Sequence, residues 1–266
     1  MAAIKPIFLL ADSQLLFWTD EEGRRFMDRA WTLIEEDAAG RPARAAYLGA
    51  SNGDAPEFYD LFVSAMAEIG IRECRHVPAK PGPEDLAFLD QADLILLAGG
   101  DVWLGWTAFE ETGVKDKIAQ RYYAGAVLVG VSAGAVQLGL KGWDEEDSTT
   151  FDALRLVPFV VDVHDEPQWP RLQAIVPKLG EHGRGFGIPS GAGALYHADY
   201  SVEPVRHPLT EVEVTEDGLR QSVLLPGQNA EVEDSAGRQP RVVSQEELVE
   251  NVLRELGGPD PDDVVN

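Results

Sequence analysis

The segment Gly130-Val131-Ser132-Ala133-Gly134 has the spacing of a tight turn that presents a nucleophile. A serine on such a turn needs small neighbours, and glycine stands two residues away on each side. The apolar run 126–129 before it reads as a buried strand, and 133–140 after it as a helix. A helix starting at Ala133 offers N–H groups without intrahelical acceptors and the positive end of its dipole. Those are the surroundings that stabilise an oxyanion. Ser132 is therefore the candidate nucleophile of a hydrolytic reaction. Gly99-Gly100 ends another apolar run, 94–98, and glycine there lets the backbone approach a ligand as a second oxyanion donor. Asp101 follows, either to bind a ligand or to cap the next segment.

A serine nucleophile needs a base. The chain has five histidines, His76, His164, His182, His197 and His207, and spacing alone does not choose among them. His164 ends the apolar stretch 156–163 and so belongs at a sheet edge, where it could face Ser132. The lone cysteine, Cys74, lies far from the elbow, which excludes a thiolate amidotransferase. An esterase of the α/β-hydrolase type shares the serine motif but places its histidine late, where only His207 is available, and no His-Gly-Gly-Gly motif occurs. His164-Asp165-Glu166 is a poor metal site, since adjacent residues point apart; no metal is expected.

The elements that must position these residues alternate. Strands are predicted over 5–10, 44–48, 71–77, 94–98 and 126–129, and helices over 20–38, 57–70, 84–91 and 114–123. Continuous apolar strands between amphipathic helices describe an α/β fold: a mostly parallel, doubly wound sheet with helices on both faces. Ligands bind at the carboxyl ends of such strands, where Gly100 and Ser132 fall. Segments 194–207 and 211–225 alternate in polarity and predict antiparallel strands near the C-terminus. A single α/β domain is expected over 1–240. Beyond it, 241–266 holds a helix over 244–256, with a Ser244–Glu247 capping box, and a frayed acidic tail.

Composition narrows the partners. With 22 basic and 46 acidic residues, the net charge of −24 repels nucleic acid and anionic membranes. No apolar run is long enough to span a bilayer, and the N-terminus reads as a first strand and not a secretory signal. One cysteine allows no intrachain disulfide, and a cytoplasmic location is expected.

Together, Gly130-Val-Ser132-Ala-Gly-Ala135, Ala98-Gly-Gly-Asp101 and Phe151-Asp-Ala-Leu-Arg-Leu-Val-Pro-Phe159 with His164 resemble the peptidase E and cyanophycinase family. The likeness extends through Tyr47-Leu-Gly-Ala-Ser51-Asn-Gly-Asp54 and Gly185-Phe-Gly-Ile-Pro189, over residues 5–230. It implies a class I glutamine amidotransferase-like fold and a serine peptidase. Ser132 would attack, His164 act as base, and the Gly100 and Ala133 N–H groups form the oxyanion hole. It further implies short aspartyl-type peptides as substrates, no cofactor, and, by analogy, a homodimer. The peptidase E branch draws its third triad member from the segment holding Asp144, Glu145, Glu146 and Asp147, with Asp147 taken as the match. The cyanophycinase branch places a glutamate where this chain has Ser190. The family's aromatic residue after the histidine is Asp165 here, and of its following arginines only Arg171 remains. Asp101, Arg171 and Ser190 are the expected substrate contacts. A non-catalytic binding protein retaining the fold is the alternative from a different class.

Overall fold

In the computed structural model, five short strands line up in parallel: β1 (Ile7–Leu10), β2 (Arg44–Leu48), β3 (Glu73–Val77), β4 (Leu94–Leu97) and β5 (Val127–Val131), in the order β3-β2-β4-β5-β1. The structure describes residues 3–38, 40–146, 149–227 and 230–231. Strands β1, β4 and β5 are buried along their whole length, which is why their sequences run apolar without alternation.

The two faces nonetheless separate with period two. Phe8, Leu10, Leu94, Leu96, Val127 and Val129 pack under helices α1 (Asp28–Ala38) and α2 (Pro56–Glu68), meeting Ala30, Ile34, Phe62 and Met66. Ile7, Leu9, Ile95, Leu97 and Leu128 face the other way, toward α3 (Pro83–Leu89), α4 (Val102–Thr112), α5 (Val114–Tyr123) and α6 (Ala133–Leu138). Each such Leu, Ile or Phe contributes about 1.5–3 kcal/mol by leaving water, so the sheet is the main source of stability.

The later chain splits between two sheets. Following the hairpin β6 (Lys141–Trp143) and β7 (Thr150–Asp152), β8 (Val160–Val163) leads into α7 (Pro170–Ile175) and then β9 (Arg184–Ile188). Strands β10 (Gly193–Tyr196), β11 (Ser201–Val205) and β14 (Ala230–Glu231) extend the main sheet antiparallel beyond β1. By contrast, β12 (Leu209–Thr215) and β13 (Gly218–Leu224) join β9 and β8 in a second sheet of order β13-β12-β9-β8, with β8 and β9 parallel. The predicted antiparallel segments thus exist but belong to different sheets.

Two elements differ from expectation. The helix predicted over 20–38 begins only at Asp28. Before it, the Asp20 carboxylate accepts from the N–H groups of Glu22 and Arg24, both at 2.9 Å, and holds a turn that a helix cannot share. Helix α4 was not expected, because Val102–Thr112 carries a glycine and apolar residues on several sides. It forms because Asp101 caps its start and Gly113, at φ 71°, its end.

The chain divides into Met1–Val232 and Glu233–Asn266. The second unit, with the helix expected over 244–256 and its Ser244–Glu247 cap, lies outside the described residues. Among the described residues, no helix is long and apolar enough to cross a membrane.

Candidate active site

Strand β5 hands directly to α6 through one residue, Ser132, at φ 49° and ψ −112°. Side chains rarely adopt that backbone, so the turn carries strain that its surroundings must hold. They do so from both sides. Ser132 N–H donates to the Leu10 carbonyl of β1 at 2.8 Å, and Ala135 N–H donates back to the Ser132 carbonyl at 2.9 Å. A Cβ on Gly130 would stand 2.6 Å from the Gly134 carbonyl oxygen, and one on Gly134 would overlap the Leu97 carbonyl. The glycines flanking the serine are therefore required by close packing between β4, β5 and α6. The end of β4 reaches the serine itself: a Cβ on Gly99 would lie 3.2 Å from Ser132 Cβ.

Gly100 continues this loop at φ 131°, pressed against the Ser51 carbonyl so closely that no Cβ fits. Asp101 N–H donates to that carbonyl at 2.8 Å. Gln137, fully buried on α6, donates to Ser51 Oγ at 3.1 Å and to the Val102 carbonyl at 2.9 Å. One amide thus joins the helix after Ser132 to both loops that frame Gly100. Among the described residues, neither the Gly100 nor the Ala133 N–H has a hydrogen-bond acceptor, so both donors are available to an oxyanion. Asp101 serves as the α4 cap: its Oδ1 accepts from Leu104 N–H at 2.7 Å.

His164 follows β8 immediately. Leu140, just past α6, donates to the Phe159 carbonyl at 2.9 Å and so ties that strand to the helix after Ser132. His164 itself takes φ 61°, a second side chain in the left-handed region, and lies exposed with its Nδ1 3.0 Å from Ser190 Oγ. Its Nε2 has no partner among the described residues, and Ser132 Oγ makes no hydrogen bond among them. The other histidines sit elsewhere. His76 pairs with Asp54 at 3.2 Å and stacks on Tyr59. His197 pairs with Glu203 at 2.9 Å and follows Tyr196, whose partner Ile7 is at the amino edge of the sheet, opposite Ser132. His182 precedes β9, at the end of the second sheet away from His164, and His207 is exposed after β11.

Among the described residues of the acidic segment before β7, none is hydrogen-bonded to His164. Asp144 Oδ1 accepts from Glu146 N–H at 2.8 Å, Glu145 lies 3.5 Å from Arg171 Nη2, and Glu146 is exposed. Asp147 lies outside the described residues. Arg171 stacks its guanidinium 5.3 Å over the Trp143 ring while paired with Glu145. Ser190, expected as a substrate contact, has its hydroxyl 3.0 Å from His164 Nδ1. Two residues before His164, on β8, Asp162 is completely buried, and its Oδ2 and that of Asp165 lack partners among the described residues. Burial first, and then the Asp165 charge, push Asp162 up to about 7 against the opposing pull of Arg171 and the Val163 N–H. Nothing in the pattern Val160-Val161-Asp162-Val163 marked Asp162 beyond one acid in an apolar run.

The profile of peptidase family S51 matches residues 9–202, from β1 into β11, a span that holds Gly100, Ser132, His164 and Ser190. The chain belongs to peptidase family S51. Peptidase E of Streptomyces coelicolor (strain ATCC BAA-471 / A3(2) / M145) is 28% identical to it over 156 residues, 56% of this chain and 62% of that protein. Two solved structures share the fold. A peptidase from an acI-B1 actinobacterium superposes with a TM-score of 0.65 at 16% identity, over 86% of this chain and 97% of its own. A putative peptidase E protein from Listeria monocytogenes EGD-e gives 0.54 at 19% identity, over 77% and 99%. The S51 match also covers Gly99, Gly100 and Ser51, the residues that shape the loop beside Ser132.

Proposed function

We propose that this chain is a serine peptidase that hydrolyses a peptide or isopeptide bond in short, aspartyl-type peptides. The observation that carries the reading is the strained Ser132, set beside two unengaged N–H donors on a chain of peptidase family S51. Ser132 Oγ attacks the scissile carbonyl carbon while His164 Nε2 takes its proton. The carbonyl oxygen becomes an oxyanion facing the N–H groups of Gly100 and Ala133. When the tetrahedral intermediate collapses, the C–N bond breaks and His164 returns the proton to the leaving amine. Water, deprotonated by His164, then attacks the acyl carbon; the ester bond to Ser132 breaks, and His164 returns the proton to Ser132 Oγ as the acid leaves. Every step uses groups of this chain, and none calls for a metal or organic cofactor.

The side on which Ser190 binds the histidine supports these roles. With Nδ1 engaged, the free nitrogen is Nε2, the one that must meet the serine. Hydrogen bonds between nucleophile and base often close only around substrate, so their absence here is compatible with catalysis. The aspartyl preference rests on the likeness to Peptidase E, and Arg171 is the candidate contact for a substrate carboxylate.

The test is hydrolysis of aspartyl dipeptides, β-aspartyl-arginine, unrelated dipeptides and a simple ester, with Ser132→Ala as control. Turnover of an aspartyl peptide that disappears in Ser132→Ala supports the reading. Turnover of the ester alone points to an esterase. Failure on the whole panel, with wild type and Ser132→Ala alike, favours a binding protein on a peptidase scaffold.

A further inference from the structure

We propose that Ser190 and Glu166 together position His164, forming a two-residue relay where a single carboxylate would otherwise stand; this rests on the reading of His164 as the base. Strands β8 and β9 run parallel with Val163 opposite Ile188, so the chain ends beyond them emerge side by side. From one end comes His164 and then Glu166; from the other comes Ser190. Ser190 Oγ lies 3.0 Å from His164 Nδ1. Ser190 N–H donates to Glu166 Oε1 at 3.3 Å, so the hydroxyl of this one residue meets the histidine while its N–H holds the carboxylate. The next residue is tied from the opposite side, with Gly191 N–H on Asp12 at 2.6 Å and the Gly191 carbonyl accepting from Arg206 at 3.3 Å. The Ser190 loop is therefore anchored through Gly191 as well as through Glu166.

Hydrogen-bond direction gives the relay its effect. An ionised carboxylate only accepts, so in this relay the Ser190 hydroxyl turns its proton toward the carboxylate that its own N–H holds and its lone pair toward the histidine. Nδ1 must then carry a hydrogen, and Nε2 keeps the lone pair that accepts the Ser132 proton. When His164 becomes cationic, Glu166 offsets its charge through the serine. The hydroxyl proton stays on Ser190 throughout, so the relay orients and transfers nothing. Glu166 is suited to remain ionised. Partial burial acts to raise it, but its own N–H, Ser190 and the nearby His164 outweigh that and hold it below the usual carboxylate range. Besides Glu166, Asp162 and Asp165 flank His164 in the chain, Asp12 and Arg206 are bonded to Gly191 next to Ser190, and Arg171, paired with Glu145, acts on Asp162.

The experiment is ¹⁵N NMR of the histidine rings in the full chain at a pH where the imidazole is neutral, with His164→Asn identifying the signals. The wild type is expected to show the Nδ1–H tautomer at His164. In Glu166→Gln the new amide can donate to Ser190 Oγ, freeing the hydroxyl to donate to Nδ1, and the signal moves toward the Nε2–H tautomer. Ser190→Asp places a carboxylate directly at Nδ1. It restores the Nδ1–H form and makes Glu166→Gln silent in that background. On whichever peptide is turned over, Glu166→Gln lowers kcat by about a hundredfold with KM nearly constant, and Ser190→Asp rescues it. An unchanged tautomer in Glu166→Gln, or a loss that persists beside Ser190→Asp, overturns the relay. The tautomer measurement stands without any substrate. A Glu166-dependent Nδ1–H form with no hydrolysis keeps the relay and rejects the peptidase reading.

Discussion

At the scale of single residues, the site combines strain with desolvated charge. Ser132 and His164 both take backbone angles that side chains rarely adopt, and each is fixed by hydrogen bonds from a neighbouring strand. The cost of that geometry falls on the residues around it. Gly134→Ala drives a methyl group into the Leu97 carbonyl, a backbone atom that cannot move aside. The variant is expected to lose about 1–3 kcal/mol in urea unfolding, along with any Ser132-dependent activity. Asp162 gives a prediction with a definite sign. Its folded-state value of about 7 lies above the ordinary 3.8. Between those limits the folded protein holds a proton that the unfolded chain has released, so this group costs stability as pH rises through the window. Asp162→Asn removes the titration. Thermal melts are expected to favour the variant increasingly from about pH 4 to about pH 8, and a constant difference across that range would refute the assignment.

At the scale of elements, the site depends on ties between neighbours in space and not in sequence. Gln137 holds α6 to the Ser51 and Gly100 loops with one buried amide. Gln137→Leu removes those bonds from buried partners and is expected to destabilise the fold by about 1–3 kcal/mol. It should also lower kcat more than it raises KM, because the Gly100 donor is no longer held; steady-state kinetics with denaturant melts separate the two effects. A second tie joins β11 to α1, where Arg29 meets Glu203 through two bonds of 2.8 and 2.7 Å and His197 adds a third. The Arg29 and His197 bonds lower Glu203 from 4.5 to about 2, against its partial burial. A lowered acid stabilises the fold above its unfolded value, and that contribution disappears as pH falls toward the folded one. Glu203→Gln is therefore expected to melt earlier than wild type at neutral pH and to converge with it between about pH 4.5 and about pH 2.

At the scale of the whole molecule, the net charge of −24 sets the solution behaviour. Like charges repel across a compact chain, and salt shortens their reach from about 30 Å at 0.01 M to about 3 Å at 1 M. The melting temperature is expected to rise with sodium chloride over that range, measured at fixed pH. A flat or falling curve would mean that local ion pairs, such as Arg41 with Asp93 and Arg75 with Asp85, outweigh the overall repulsion. The same excess of acid weighs against nucleic acid as a ligand, since each phosphate would approach a like charge.

The elements that carry the site were legible because local physics decides them. Two-sided burial writes itself as unbroken apolar runs, so β2 was placed at its observed bounds, Arg44–Leu48, and β4 and β5 to within a residue or two. A turn that tolerates no side chain beside its serine writes itself as Gly130 and Gly134, and the same segment carried the resemblance to the family that its profile bears out. What depended on distance through space was not legible. No local signal says that 194–207 and 211–225 enter different sheets, since either alternating pattern can pair with any open edge. Nor could spacing show that the histidine's Nδ1 would meet Ser190 and not an acid of the 144–146 segment, because that pairing follows from the register of β8 against β9. The sequence by itself determined which residues have the chemistry of a nucleophile and which strand carries it. Only the tertiary structure decided which side chains stand beside the histidine, because side-chain neighbours across a sheet are fixed by strand pairing, which one strand's sequence does not encode.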